Sequence, residues 1–319
     1  MTRFLVRRVT FGLLVMWIIT TIVFVMFFVA PHDPARLLAG RQATAATVGA
    51  IRRSLGFDQP ISIQYLNFIA RLIHGNLGYS YYSSQPVTSL LATRLPVTAS
   101  LAVGGAILWL LIGVGAGILA ATHPRSGADR TVTGFALFFY SMPTFLLGLL
   151  FLYFLFYELH LAGLPLFPGG GYMPLSQDPL GWAQHLVLPW LTIALVTATT
   201  YARLTRGSLL EVLGEDYIRT ARSKGLREWR VIIVHGLRSA LTPVVTQFGI
   251  DLGTLLGGVI VTETVFGLPG LGQLAVQSIT TQDLPVIIGI VLLASFFIVT
   301  ANIVVDVLYA VLDPRVRLS

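Results

Sequence analysis

An all-α integral membrane protein with six transmembrane helices is the architecture this chain predicts, and three observations carry it. Its 319 residues are 55% hydrophobic and only 11% charged, with a mean hydropathy of +0.79, so a water-soluble domain with a polar shell is excluded. Long apolar runs are almost free of charge, although a charge at the bilayer centre costs at least about 2.5 kcal/mol. Finally, Lys and Arg fall in alternate loops, the pattern that holds short loops in the cytoplasm.

A bilayer core of about 30 Å needs about 20 apolar residues per helix. Such segments fall at 9–30, 97–121, 131–157, 186–202, 244–262 and 284–312. These lengths far exceed the roughly 10 residues of a transmembrane barrel strand. The first segment follows the basic start MTRFLVRR. It is too long for the apolar core of a secretory signal, and FVAPHD offers no small-x-small cleavage site, so it reads as a retained anchor. The third and fourth contain Pro143 and Pro189, each expected to break one backbone hydrogen bond and kink its helix. The fifth, VVTQFGIDLGTLLGGVIVT, repeats glycine at Gly249, Gly253 and Gly257, which leaves one face bare for close helix packing. The spans carry only two acids, Asp251 and Asp306. Asp306 lies near Arg315 and Arg317 and reads as interfacial. Asp251 lies nearer mid-span and is the better candidate to line a wet path.

Six spans put both termini on one side. That side holds Arg3, Arg7, Arg8, Arg125, Arg130, the eight bases from Arg203 to Arg238, and Arg315 and Arg317. The loops at 158–185 and 263–283 hold no base and carry Glu158, Asp178, Glu263 and Asp283 instead. Both termini are therefore expected in the cytoplasm, and the net charge of +7 is a topology signal, not a nucleic-acid signature. No cysteine is present, so disulfides and thiolate metal sites are excluded. The histidines show no metal-ligand spacing, and no metal site is expected. The one lysine, Lys224 in SKG, does not end a phosphate-binding loop, and GxSxG and HExxH are missing. A pathway, not an active site, is the expectation. If ATP drives it, the motor is another subunit.

Three further stretches have a readable texture. ISIQYLNFIARLIHG alternates at helical spacing and reads as an interfacial helix on the outer face. GEDYIRTARSKGL reads as a short helix outside the membrane, with Glu215 and Asp216 at its positive end and Gly225 where it would stop. Tyr217, Thr220, Ala221 and Lys224 or Gly225 would share one side of it. ETVFGLPGLG cannot be regular helix in lipid. It is expected at the outer rim of a path, with Glu263, Phe266 and Pro269 as path candidates beside Asp251.

At Asp216–Leu226 (DYxRTARxKGL) and Arg238–Val245 (RxALxPVV) the chain resembles inner-membrane permease subunits of binding-protein-dependent ABC importers, in particular the first permease of the dipeptide and oligopeptide group. Residues 55–101, ETVFGLPGLG (263–272) and VDVLYAVLDPRVR (305–317) are similar to the same group. The general EAA loop motif is met only in part, with Arg219 for Glu, Thr220 for the first Ala, His235 for Ile and Arg238 for Pro.

The resemblance implies a type I importer fold with an N-terminal helix and extracytoplasmic region over 1–95, a permease domain over 96–312 and a cytoplasmic tail over 313–319. It implies a multi-pass protein of a bacterial-type inner membrane, not itself an enzyme, that forms half of a path for peptides. The implied partners are a homologous second permease, two ATPase domains carrying ATP and Mg, and an extracytoplasmic binding protein. In this group the 215–226 helix couples to the ATPase. That implies roles for Arg219, Ala221, Lys224 and Gly225 in transmission, for Asp216 and Tyr217 in shaping the helix, and for Thr220 and Leu226 within the motif. Related permeases also carry nickel chelates, and an ion-driven carrier would need a relay for which only Asp251 is placed.

Overall fold

The computed structural model describes residues 2–29, 44–54, 56 and 58–312, whose regular structure is helical throughout. The tail at 313–319 and the end of the resemblance at 305–317 lie outside the described residues. In chain order the helices are α1 (Val6–Phe28 at its apolar part), α2 (Ala45–Ser54), α3 (Ile61–Ile73), α4 (Val87–Thr122), α5 (Gly127–Tyr140), α6 (Thr144–Leu161), α7 (Pro179–Leu213), α8 (Asp216–Ser223), α9 (Glu228–Ala240), α10 (Thr242–Val265), α11 (Leu271–Thr280) and α12 (Leu284–Leu312). Among the described residues five helices are long and apolar enough to cross a membrane, or six if the bent pair α9 and α10 counts as one span.

Two expectations about these spans change. The 131–157 segment is two helices, because Pro143 lacks an N–H to continue α5 and instead caps the start of α6 at φ −60°, ψ 136°. Pro189, by contrast, sits inside an unbroken α7. The fourth span is also far longer than 186–202. At 1.5 Å per residue, the 35 residues of α7 run about 52 Å and outreach a bilayer core of about 30 Å. Before α10, the chain bends by 50° between α9 and α10, where Pro243 opens the new helix.

The chain falls into two compact units, one of Val97–Gln273 with Ala301 onward, the other of Thr2–Pro96 with Leu274–Thr300. In the larger unit α7 is central and packs against α5, α6 and α10. In its most apolar stretch 56% of α7 is buried, against 11% for α6. Between helices in lipid there is no hydrophobic drive, so close packing has to supply the attraction. Two glycines of α4 provide it: a Cβ at Gly113 would lie 2.5 Å from the Tyr201 Cβ, and one at Gly117 2.5 Å from the Thr205 Cβ. Around this seam Trp109, Leu186, Leu188, Tyr201, Val259 and Leu268 are all but sealed.

In the smaller unit Val23 and Phe24 of α1 pack with Phe68 of α3 and with Ile288 and Leu292 of α12. The expected ISIQYLNFIARLI helix is thus present as α3, with Phe68 inward and Ile63, Leu66 and Ile73 exposed. A turn beside it is held by the Asp283 carboxylate, which accepts from the Ser80 hydroxyl and from the backbone N–H groups of Tyr81 and Tyr82. Burial beside that carboxylate pushes the Tyr81 phenol above its ordinary pKa.

Candidate functional sites

The basic loop folds as the sequence requires. Asp216 occupies the first turn of α8 and Arg222 the last, each matching the helix dipole. Gly225 ends the helix at φ +75°, a backbone state that glycine enters without cost. Ile218 (0% exposed) and Ala221 (8%) point inward and pack on Val231, with Val212, Leu213 and Leu226 around them.

One expectation is corrected here. Ala221 does not share an outward face with Tyr217, Thr220 and Lys224, because the pair at i and i+3 formed with Ile218 sets the buried stripe. Tyr217, Arg219, Thr220 and Lys224 stay exposed. The Tyr217 hydroxyl donates to Ser239 Oγ of α9 at 3.3 Å, and Arg222 pairs with Glu228 at 2.7 Å. Ile218 was not singled out from the sequence, although it is the strongest apolar residue of the motif.

A second charged feature is a partly buried ion pair between α5 and α7. Arg206 of α7 grips Asp129 of α5 with both prongs, Nε to Oδ1 at 2.6 Å and Nη2 to Oδ2 at 2.8 Å. The backbone N–H of Arg125 adds a third donor at 2.9 Å. These bonds hold the Asp129 carboxyl at about 2, below the ordinary aspartate value, with the Arg206 guanidinium as the main cause. Nothing in the apolar patterning marked this pair, which joins residues 77 apart.

The ETVFGLPGLG turn is more enclosed than expected. Glu263 is 0% exposed and Phe266 2%. The Glu263 carboxylate accepts from Thr98 Oγ1 at 2.6 Å and from the N–H groups of Gly272 and Gln273 at 2.7 and 3.1 Å. Thr98 Oγ1 in turn accepts from Leu271 N at 2.8 Å. The orphan donors at the start of α11 thus meet a buried anion supplied by the end of α10. As path candidates Glu263 and Phe266 are corrected, since in this conformation both are sealed inside the chain. Pro269 remains partly exposed.

Asp251 does reach a cavity. It lines a space of about 130 Å³ with Trp109 of α4, Thr144 of α6, Ile193 and Thr197 of α7, and Leu255 and Val259 of α10. Its carboxylate accepts from the Tyr201 hydroxyl at 2.7 Å and from Gln247 Nε2 at 2.9 Å. Of the glycine stripe, Gly249 abuts Val305 of α12, while the surroundings of Gly253 and Gly257 lie outside the described residues. The stripe seen in close contact, Gly113 and Gly117, carries the same spacing of four and was not singled out. Among the described residues no cluster of His, Cys, Asp and Glu could hold a metal ion.

Known proteins share the sequence and the fold of this chain. Residues 113–318 match the family model described as binding-protein-dependent transport system inner membrane component, and residues 1–102 match its N-terminal companion. A putative peptide transport system permease protein of Brucella abortus (strain 2308) is 42% identical over 317 residues, covering 99% of both chains. The glutathione transport system permease protein GsiC of Escherichia coli (strain K12) is 39% identical over 318 residues, again covering 99% of both. An inward-facing structure of the MetNI methionine ABC transporter superposes with a TM-score of 0.56 at 21% identity, covering 70% of this chain and 96% of that one, a likeness of fold. This chain therefore belongs to the family of inner-membrane components of binding-protein-dependent transport systems, as a multi-pass membrane protein.

Proposed function

We propose that the chain is a permease subunit of an ATP-driven importer for peptides or solutes of similar size, forming half of the path together with a homologous second permease. A binding protein delivers the solute outside, and two ATPase domains carrying ATP and Mg supply the work inside. The names of the 42% and 39% identical relatives support the substrate class.

The observation that carries the coupling role is α8. It is anchored from below by Ile218 and Ala221, and it exposes Tyr217, Arg219, Thr220 and Lys224 in a chain with no phosphate-binding loop of its own. Such a helix transmits force without melting, because its seat is apolar and its outer face is free to dock. Asp216 and the Gly225 stop fix its length.

The test is transport by the assembled complex in proteoliposomes. Uptake of labelled dipeptides should require ATP and the binding protein and should stop with vanadate. Uptake that persists without ATP and follows an ion gradient would overturn the proposal. Gly225→Asp sharpens it: aspartate tolerates left-handed backbone better than most residues, and nothing crowds a Cβ at that position. The complex should therefore assemble while hydrolysis no longer responds to the solute.

A further inference from the structure

A groove of about 250 Å³ opens between α4, α5 and α7. Its floor is made of small residues: Gly113 and Ala116 of α4, Ala136 of α5, and Ala198 and Ala202 of α7. Phe135 and Phe139 of α5, stacked with centroids 6.1 Å apart, form one wall, and Phe135 is 60% exposed. The two hydroxyls of the lining are returned to their own helices, since Thr131 donates to the Gly127 carbonyl and Thr199 to the Val196 carbonyl, each at 2.8 Å. The surface left open is almost wholly apolar.

Its length and place follow from the helices. From Thr131 to Phe139, α5 rises about 12 Å at 1.5 Å per residue, which fits within one leaflet of a bilayer core of about 30 Å. One end abuts charge: Ala202 of the lining lies one turn from Arg206, and Thr131 lies just beyond Asp129, the pair joined at 2.6 Å. That pair uses Nε and Nη2 of Arg206, which leaves Nη1 for another acceptor. Arg203, about 40° round α7 from Thr199, is exposed and has no hydrogen bond or ion pair among the described residues. The bases gathered at this end mark it as the cytoplasmic side.

A helix is about 10–12 Å across with its side chains, so one 5.4 Å turn fills roughly 400–600 Å³, more than the groove holds. Helices in lipid close on each other through small residues, and here the small residues lie behind two phenyl rings. A thin, flexible chain reaches them. The guanidinium groups at the cytoplasmic end ask for an anion on the same molecule.

We propose that the groove seats one acyl chain of an anionic phospholipid of the cytoplasmic leaflet, with Arg203 and Nη1 of Arg206 receiving the phosphate. The tail exchanges one apolar contact for another and selects little. The charge at the head decides which lipid stays.

The test uses the full chain reconstituted in liposomes, with Phe135→Trp as a reporter on the groove wall and its emission taken as the difference from the parent. Lipids brominated along the acyl chain quench a tryptophan that they touch. Phosphatidylglycerol is compared with phosphatidylcholine, because both carry a phosphate but only the first a net charge. The anionic lipid should be favoured at the reporter by about fivefold, the effect of one base near an anionic lipid. Arg203→Gln should bring the ratio close to one, and so should Ala116→Leu, which fills the floor. Arg130→Gln should leave it unchanged, since Arg130 lies about 100–180° round α5 from every residue of that helix in the lining.

Three results would overturn the proposal: equal quenching by the two lipids, a preference that Arg203→Gln leaves intact, or one that Arg130→Gln lowers as much as Arg203→Gln, the mark of diffuse attraction. The same measurement in the assembled transporter decides between lipid and protein as the occupant. Quenching retained there supports the lipid. A reporter shielded from both lipids would mean that a partner subunit covers the groove, and the proposal falls.

Discussion

Two short helices of this chain meet an acid at their first turn, one from within the helix and one from the end of α10, and the two acids are used in opposite ways. In α8 the Asp216 side chain is 97% exposed, and its contact with Arg219 is a loose 3.6 Å pair at the surface. At the start of α11, Glu263 is 0% exposed and is gripped by a hydroxyl and two backbone N–H groups. One acid tunes a helix that is presented outward; the other closes a turn on itself. The difference lies in what surrounds the charge. A carboxylate in water is nearly free to keep, whereas a buried one needs every lone pair answered.

The largest effect should therefore come from the outer turn. Glu263→Ala removes three charge-assisted bonds and leaves the first N–H groups of α11 unmet, a loss on the order of 4 kcal/mol. The yield of folded chain and its thermal midpoint should fall sharply, and Glu263→Gln, which can still accept from Gly272, should fall less. If Glu263→Ala keeps the parental midpoint but changes solute uptake, Glu263 belongs to the path after all, and the contrast with α8 dissolves.

Next comes the seat of α8. Ile218→Ala deletes apolar contacts to Val231 and Leu213 at a cost of about 2–4 kcal/mol, confined to a segment with few other anchors. Backbone amide exchange over 216–226 should quicken while the spans keep their protection, and transport should decline with α8. Unchanged exchange in that segment would mean that Tyr217 and the Arg222 pair hold the helix unaided.

Asp129 sharpens the comparison, because it lies on the basic side of the protein yet behaves like Glu263. Its folded pKa of about 2 lies below the ordinary value of 3.8. The pair with Arg206 therefore contributes stability fully above about pH 4, and this is lost as pH falls through about 2. In Arg206→Gln the carboxyl is expected to move back toward 3.8, so the thermal midpoint should be lower near neutral pH and its further fall between about pH 4 and pH 2 should be shallower. Identical profiles for the two proteins would remove the ion pair from the account.

How much of this was legible follows from the range of each interaction. The spans, α3, α8 and its stop at Gly225 are local patterns of apolar spacing, dipole-matched charge and glycine, and they can be read from a dozen residues. Pro143 was noticed, but whether a proline kinks a helix or ends it depends on the packing of the following turn, as the unbroken run through Pro189 shows. The partners of Glu263, Asp129 and Asp251 lie up to 165 residues away, and no periodicity reports them. Asp251 stood out because it was alone in its span. The glycine stripe at 249, 253 and 257 was conspicuous, while Gly113 and Gly117 were hidden in a helix rich in small residues throughout.

The smallest effect is expected where the loop looks most tightly tied. Arg222 and Glu228 are joined at 2.7 Å, closer than many internal contacts, yet their side chains are 41% and 57% exposed. Exposed pairs of this kind are worth about 0–1 kcal/mol, since water competes for both charges and ordering two long side chains costs entropy. A double-mutant cycle with Arg222→Gln and Glu228→Gln should return a coupling at the low end of that range, and salt near 1 M should erase it, because the Debye length there is only about 3 Å. A coupling of several kcal/mol that survives salt would mean the loop is clamped as firmly as the Glu263 turn. Then α8 could not be a handle seated only by Ile218 and Ala221, since moving it would require breaking that clamp at each cycle.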